Sequence, residues 1–293
     1  MTIVIGLIGI CFLFLIWIML YDSHRFEISR YTFEHASIVQ GKRAVILSDL
    51  HNKQYGKENA LLLEAIEREK PDFVLIAGDM ITAKPGYSME KTLKFLEKLA
   101  RRYPVYYGLG NHEQRLKLYP DKYKTMKQQL FTALKDYKIE VLENRFLEVP
   151  ETGILIYGLE LAPQFYKRRG VPRMEKEYIN GVLGVRKPDR CCVLLAHNPD
   201  YFPVYAQWGA DFVISGHIHG GLVRVPFVKK GFLSPSVRFF PKYDGGLFQE
   251  KNSTLILSRG LGTHTFPVRV FNPGDLIVLD LQPGTREGNK DGD

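Results

Sequence analysis

The stretch Ala44-Val45-Ile46-Leu47-Ser48-Asp49-Leu50-His51 decides the fold. Four apolar residues in a row, bounded at once by polar Ser48 and Asp49, read as a short strand buried on both faces, the habit of parallel sheets. The figure returns twice. Phe73 to Ala77 stops at Gly78-Asp79, and Val105 to Leu109 stops at Gly110-Asn111-His112-Glu113. Between these runs the period changes. Lys57 to Arg68 places Leu61, Leu62, Ala65 and Ile66 at helical spacing, and Met89 to Arg102 does so with Leu93, Phe95, Leu96 and Leu99. Strand and helix in alternation predict an α/β domain of parallel strands joined by right-handed crossovers.

Downstream, Ile154 to Leu159, Val193 to Ala196, Phe212 to Ser215, Thr254 to Leu257 and Leu276 to Leu281 are further strands, while Tyr166 to Arg190 and Gly221 to Glu250 are basic and irregular. Polar residues again collect where strands stop. Val193 to Ala196 ends at His197, and Phe212 to Ser215 ends in Gly216-His217-Ile218-His219-Gly220-Gly221. In open α/β sheets ligands bind beyond the carboxyl ends of the strands. Five strands thus deliver Asp, Asn and His to one edge, and five of the eight histidines lie in these motifs.

Taken singly, each motif has a plain structural reading: a Gly-Asp turn, a hydrogen-bonded histidine, an Asp that caps a helix. Their order and placement are what point to chemistry. Carboxylate, amide oxygen and imidazole suit divalent ions such as Mn, Fe, Zn or Co. Seven such groups are too many for one tetrahedral zinc but fit two ions sharing one carboxylate. Two ions about 3.5–4 Å apart can activate a bridging water and clamp the oxygens of an in-line displacement at phosphorus.

Asp-x-His, Gly-Asp, Gly-Asn-His-Glu, a lone His and Gly-His-x-His, in that order from Asp49 to His219, resemble the calcineurin-like metallophosphoesterase family. The resemblance implies a two-sheet sandwich flanked by helices, and a hydrolase of phosphoric ester or anhydride bonds. It also implies two divalent ions, manganese favoured among Mn, Fe and Zn. Carried over by position, one ion would be held by Asp49, His51, Asp79 and His219. The other would be held by Asp79, Asn111, His197 and His217, with Asp79 as the bridge. His112 corresponds to the histidine that stabilises the developing charge or protonates the leaving oxygen, and its plainer role is a hydrogen bond to a ligand. Glu113 stands where the family often has Asp.

The first twenty-one residues carry no charged side chain, and Ile3 to Leu20 is almost wholly apolar. About 20 such residues span a hydrocarbon core of about 30 Å. No basic flank precedes the run and no small-residue cleavage site follows, so a retained single-pass anchor is expected instead of a cleaved signal. Arg25 and Arg30, just beyond it, lean towards a body on the cytoplasmic side. The expected organisation is an anchor over residues 1–21, a juxtamembrane segment over 22–42, the catalytic domain over 43–282 and a disordered tail over 283–293. Three cysteines, Cys11, Cys191 and Cys192, make no disulfide framework and read as thiols.

Lys and Arg outnumber Asp and Glu by 40 to 32, which favours anionic partners. Phe227, Phe232, Phe239 and Phe240, among Arg224, Lys229, Lys230, Arg238 and Lys242, suit either an anionic lipid boundary or an ordinary packed loop. Lys167, Arg168, Arg169 and Arg173 suit a diphosphate or a solvated face. The anchor and the motif Ser258-Arg259-Gly260-Leu261-Gly262, leading to Pro267-Val268-Arg269, are similar to bacterial membrane-associated members of the family. Some of these hydrolyse UDP-2,3-diacylglucosamine. The expected partners are therefore the bilayer and an anionic phosphorylated, lipid- or nucleotide-linked substrate. Nucleic acid is disfavoured for want of a recognition motif. The alternatives are a nuclease-type phosphodiesterase or a non-catalytic metal-binding scaffold, and a degenerate scaffold would be expected to have lost ligands.

Overall fold

The computed structural model describes residues 2–167, 172–225, 230–233, 239–263 and 268–285. Its elements run α1 (Thr2–Ser23), β1 (Phe26–His35), β2 (Lys42–Leu47), α2 (Ala60–Glu69), β3 (Phe73–Ile76), α3 (Glu90–Ala100), β4 (Val105–Gly108), α4 (Asn111–Leu118) and α5 (Pro120–Asp136). There follow β5 (Glu140–Leu142), β6 (Arg145–Val149), β7 (Ile154–Leu159), α6 (Lys176–Leu183), β8 (Cys191–Ala196), α7 (Phe202–Trp208) and β9 (Phe212–Ser215). The last are β10 (Val223–Val225), β11 (Lys230–Leu233), β12 (Gly246–Glu250), β13 (Ser253–Leu257) and β14 (Gly274–Pro283). One sheet has the order β1-β14-β2-β3-β4-β5, the second β12-β13-β9-β8-β7-β6, and β10 and β11 form a separate hairpin. The strands β2 to β5 are mutually parallel, and so are β7, β8, β9 and β13.

Side-chain parity explains the layering. Along β2, Ala44 and Ile46 point into a core shared with Val193 and Leu195 of β8 and Ile214 of β9, which is the space between the sheets. Val45 and Leu47 point the other way, onto Leu62 and Ile66 of α2, Phe95 and Leu99 of α3 and Leu130 of α5. The outer face of the second sheet is covered by Ile179 of α6 and by Phe202, Tyr205 and Trp208 of α7. Helix, sheet, sheet, helix is the sandwich expected from the sequence. Cys191 and Cys192 are both buried free thiols, on opposite faces of β8.

Several features were not read from the sequence, among them α6 within Tyr166 to Arg190 and β10, β11 and β12 within Gly221 to Glu250, two stretches expected to be irregular. The segment expected to be juxtamembrane contains β1, which pairs in parallel with β14 along ten residues, from Phe26 opposite Gly274 to His35 opposite Pro283. The stretch from Asn111 to Asp136 forms α4 and α5. The expected tail overlaps β14 at Pro283, which pairs with His35, and its residues 286–293 are outside the described residues. Helix α1 is 22 residues and so about 33 Å long, with none of its apolar window buried against the body. It is long and apolar enough to cross a membrane.

Candidate metal centre

Seven side chains singled out above converge where strands of both sheets end. Asp49 and His51 follow β2, Asp79 follows β3, Asn111 opens α4 just after β4, His197 follows β8, and His217 and His219 follow β9. Five of them, Asp49, His51, Asp79, His217 and His219, have positive φ between 49° and 72°. Non-glycine residues avoid this left-handed region, at a cost of about 1–3 kcal/mol each, and such strain clusters at functional sites. The turns are pinned by backbone bonds from Asp49 N to Gly78 O (3.0 Å), His51 N to Asp79 O (3.1 Å) and Gly216 N to His197 O (3.1 Å). Gly216 is demanded by closeness: a Cβ there would overlap the Ser48 hydroxyl and the Asp49 carboxylate.

The donor atoms fall into overlapping groups. Those of Asp49, His51 and His219 lie within 4.8 Å of one another, as do those of Asp79, His197 and His217, and those of His51, Asp79 and His112. Asp79 Oδ2 is 3.2 Å from His197 Nε2 and 3.8 Å from His51 Nε2. Asp49 Oδ1 is 3.3 Å from His219 Nε2 and 3.8 Å from His197 Nε2. The Asn111 side-chain oxygen is buried with no hydrogen-bond partner, an acceptor that a cation would satisfy. Asp49, Asp79, His51, His197 and His219 are buried, while Asn111 and His217 are half-buried at the mouth.

Hydrogen bonds fix which ring nitrogens face the centre. His197 Nδ1 lies 2.6 Å from Ala77 O and His219 Nδ1 3.3 Å from Gly262 O. A carbonyl only accepts, so each Nδ1 carries a proton and each Nε2 is the nitrogen that could serve a metal ion. His112 is the reverse: its Nδ1 accepts from the Ala83 N–H at 2.8 Å, which puts the proton of the neutral ring on Nε2. Burial works to raise the Asp49 and Asp79 carboxyls, yet the imidazoles of His219 and His197, and of His197 and His112, hold them below the usual carboxylate range. Burial pushes the His51 and His112 rings down, and His217 to about 3. On His197 burial is outweighed by the Asp79 and Asp49 charges, which push it up to about 10. The neutral rings of His51 and His217 and the ionised carboxylates form a donor set that fits divalent cations, with His197 adding a third ring once its proton is displaced.

A consequence for metal uptake follows. In the metal-free protein His197 holds a proton on Nε2 below about pH 10, and a cation binding there must displace it. Uptake is expected to release about one proton, so apparent affinity rises about tenfold per pH unit through the neutral range. Calorimetric titration of the metal-free protein in two buffers of different ionisation enthalpy measures the proton directly. Equal apparent enthalpies in the two buffers would contradict it.

Several residues that position the centre were missed. Glu113, buried, accepts from the backbone N–H of Asp79 (2.9 Å), Met80 (2.9 Å) and Gly110 (3.0 Å) and from the Tyr107 hydroxyl (2.8 Å). It clamps the Asp79 and Asn111 turns together, a reach that the extra methylene over Asp permits. Burial, then the Asp79 charge, pushes its carboxyl up to about 7. Arg269, also buried, donates to the carbonyls of Arg259, Gly260, Gly262, Asn272 and Pro273. Asn272 donates to His219 O at 2.8 Å and Gly221 O at 2.7 Å. Its own N–H donates to Asp22 at the end of α1 (3.0 Å), and Lys53 Nζ donates to Ser23 O. The Tyr166 ring stands 5.3 Å from that of His217.

Arg168 and Arg169 lie outside the described residues, and exposed Arg173 pairs with Glu175 at 2.7 Å. Phe227, Lys229 and Arg238 are likewise outside them, whereas Phe239 and Phe240 are about 60% exposed and pack on Phe232.

The calcineurin-like phosphoesterase model matches residues 42–221, and the chain belongs to that family. It is 27% identical to an uncharacterized metallophosphoesterase, Cj0846, of Campylobacter jejuni, over 87% of this chain and 63% of that one. It is 26% identical to the phosphodiesterase YaeI of Escherichia coli, over 82% of each chain. It is 24% identical to the UDP-2,3-diacylglucosamine pyrophosphatase LpxG of Chlamydia muridarum, over 82% of this chain and 84% of that one. The chain spans just under two thirds of the Campylobacter relative.

Proposed function

We propose that this phosphoesterase holds two divalent ions, manganese favoured over iron or zinc. Asp49, His51, Asp79 and His219 take one ion; Asp79, Asn111, His197 and His217 take the other, with Asp79 shared. The substrate is a phosphodiester or pyrophosphate carried by a lipid- or nucleotide-linked envelope compound. The observation that carries this reading is the convergence of those seven side chains within two residues of bonds to the end of an apolar helix. Asp22 and Ser23 bind Asn272 and Lys53, and Asn272 binds the carbonyl of His219. With α1 as the anchor, the centre lies close under the bilayer surface, where a lipid-borne phosphate would be presented. Arg25 and Arg30 after the helix support a body on the cytoplasmic side. The pyrophosphatase and phosphodiesterase names of two relatives agree with the chemistry.

Bound there, the ions would supply charge neutralisation and an activated water. The chain's own contribution at the reacting phosphorus is His112. With Nδ1 engaged by Ala83 N–H, its Nε2–H donates a hydrogen bond to the oxygen on which charge grows. Glu113 keeps the Asp79 turn rigid while this happens.

The test uses the full chain in detergent with manganese, first on bis-(p-nitrophenyl) phosphate and then on UDP-2,3-diacylglucosamine against UDP-N-acetylglucosamine. Turnover that a chelator abolishes, and a marked preference for the acylated compound, are expected. Two metals without turnover on any ester would make the protein a binding scaffold. Equal rates on soluble and acylated compounds, or faster cleavage of single-stranded nucleic acid, would remove the lipid assignment and leave the hydrolase.

A further inference from the structure

A cavity of about 480 Å³ opens at the foot of α1, lined by none of the seven candidate ligands and walled by Ile18 and Tyr21 of the helix and by Arg25, Glu27, Arg224 and Arg259 of the body. Such a volume is within the range of small-ligand pockets. Its charges are unequal in access. Asp22 and Asp275 are buried and fully engaged, Asp22 by Arg25 and the Asn272 N–H, Asp275 by the Ser29 hydroxyl and Arg259. Glu27 is different. Its side chain is 48% exposed, and its two oxygens bridge two guanidinium groups, 2.9 Å from Arg25 and 3.6 Å from Arg259. A carboxylate held between two arginines on a half-exposed side chain marks an anion seat filled by a residue that can swing out. Arg25 is oriented from below by stacking over the Tyr21 ring, 4.8 Å from its centre.

We propose that this cavity binds the phosphodiester headgroup of an anionic membrane phospholipid, the phosphate replacing the Glu27 carboxylate between Arg25 and Arg259. Guanidinium forks match phosphate oxygens in pairs, and a monoanion replacing a monoanion leaves the net charge unchanged. The apolar wall of Ile18 and Tyr21 continues into the bilayer-facing surface of α1, so the acyl chains of such a lipid would run along the helix. The pocket is a site for a resident lipid, separate from the phosphoesterase centre, and it rests on the reading of α1 as a membrane anchor.

The test measures the thermal unfolding of the full chain in detergent while a short-chain phosphatidylglycerol or inorganic phosphate is titrated. Phosphatidylglycerol is expected to stabilise the wild type, and inorganic phosphate, lacking chains for the apolar wall, to do so far less. Glu27→Gln, which removes the competing carboxylate, should tighten the apparent lipid affinity about fivefold, and Arg25→Ala should weaken it by about the same factor. Equal lipid responses in all three proteins would overturn the proposal, as would a response to inorganic phosphate matching that to the lipid. Alkaline carbonate extraction of membranes tests the anchor separately. Release of the chain would remove the anchor reading and the lipid site with it. Retention combined with equal lipid responses would remove the lipid site alone.

Discussion

Asp79→Asn is expected to reduce turnover by at least about 10³, the scale set by removing a single preorganised electrostatic group, and to leave the purified protein with one bound metal or none. The substitution changes one atom and no volume. Asp79 sits at φ 54° with its backbone N–H held by Glu113, and its Oδ1 accepts the His112 N–H at 2.8 Å. An amide can keep those contacts, so the turn should hold its shape. What vanishes is the charge. Asp79 is the leading attraction that raises His197, and it is the carboxylate shared in the proposed arrangement of ions. Loss of that charge weakens both halves together. Elemental analysis beside steady-state kinetics, with thermal unfolding of the metal-free forms as a control for folding, separates this outcome from simple instability. Two bound metals with near-normal turnover would end the shared-carboxylate model.

The strand ends were legible because a buried parallel strand writes itself twice: as an apolar run, and as an abrupt polar stop. Ala44 to Leu47 followed by Ser48-Asp49, and Phe212 to Ser215 followed by Gly216-His217, show both signals, and the structure ends these strands at the expected residues, with β2 starting two residues earlier at Lys42. β1 carries neither. It is an edge strand with charged Glu27, Arg30 and Glu34 along it, and it follows an apolar helix so closely that it reads as a tether. The backing of the centre was illegible for a different cause. Asp22 and Asn272 are 250 residues apart, and Tyr55, whose hydroxyl donates to Leu261 O, is 206 residues from its partner. No local periodicity records such pairs. Arg269 is a clear case: the sequence marks it only as the end of a motif, with no role, and in the fold it is fully buried and organises five carbonyls behind Asp49 and His219.

Of that backing, Asp22, Leu261, Arg269 and Asn272 lie outside residues 42–221, the span matched by the family model, and Asp22 with Asn272 joins α1 to the centre. Asn272 carries both contacts, one from its N–H to Asp22 and one from its side chain to His219 O. Removing residues through Ser23 would take away Asp22 and the Ser23 carbonyl that Lys53 holds. The helix end is therefore part of the wall behind the His219 turn.

His112→Ala is expected to retain metal and lower kcat by about 10²–10³, with the loss nearly the same for good and poor leaving groups. The direction comes from one hydrogen bond. A backbone N–H can only donate, so the Ala83 N–H at 2.8 Å obliges His112 Nδ1 to accept, and burial keeps the ring neutral. A neutral imidazole with its proton on Nε2 is a good hydrogen-bond donor and a poor acid, since giving up that proton would leave an imidazolate. It can stabilise charge on a phosphoryl oxygen throughout the displacement, but it has no readily lost proton for the departing alkoxide. Stabilisation of the phosphoryl oxygens is felt equally whatever group departs. General-acid catalysis is different: it matters most for alkyl leaving groups and hardly at all for p-nitrophenolate. Rates on a series of aryl and alkyl phosphodiesters distinguish the two. A variant that loses little on the nitrophenyl ester but much on an alkyl ester would make His112 the acid, and would require the Ala83 contact to break during turnover.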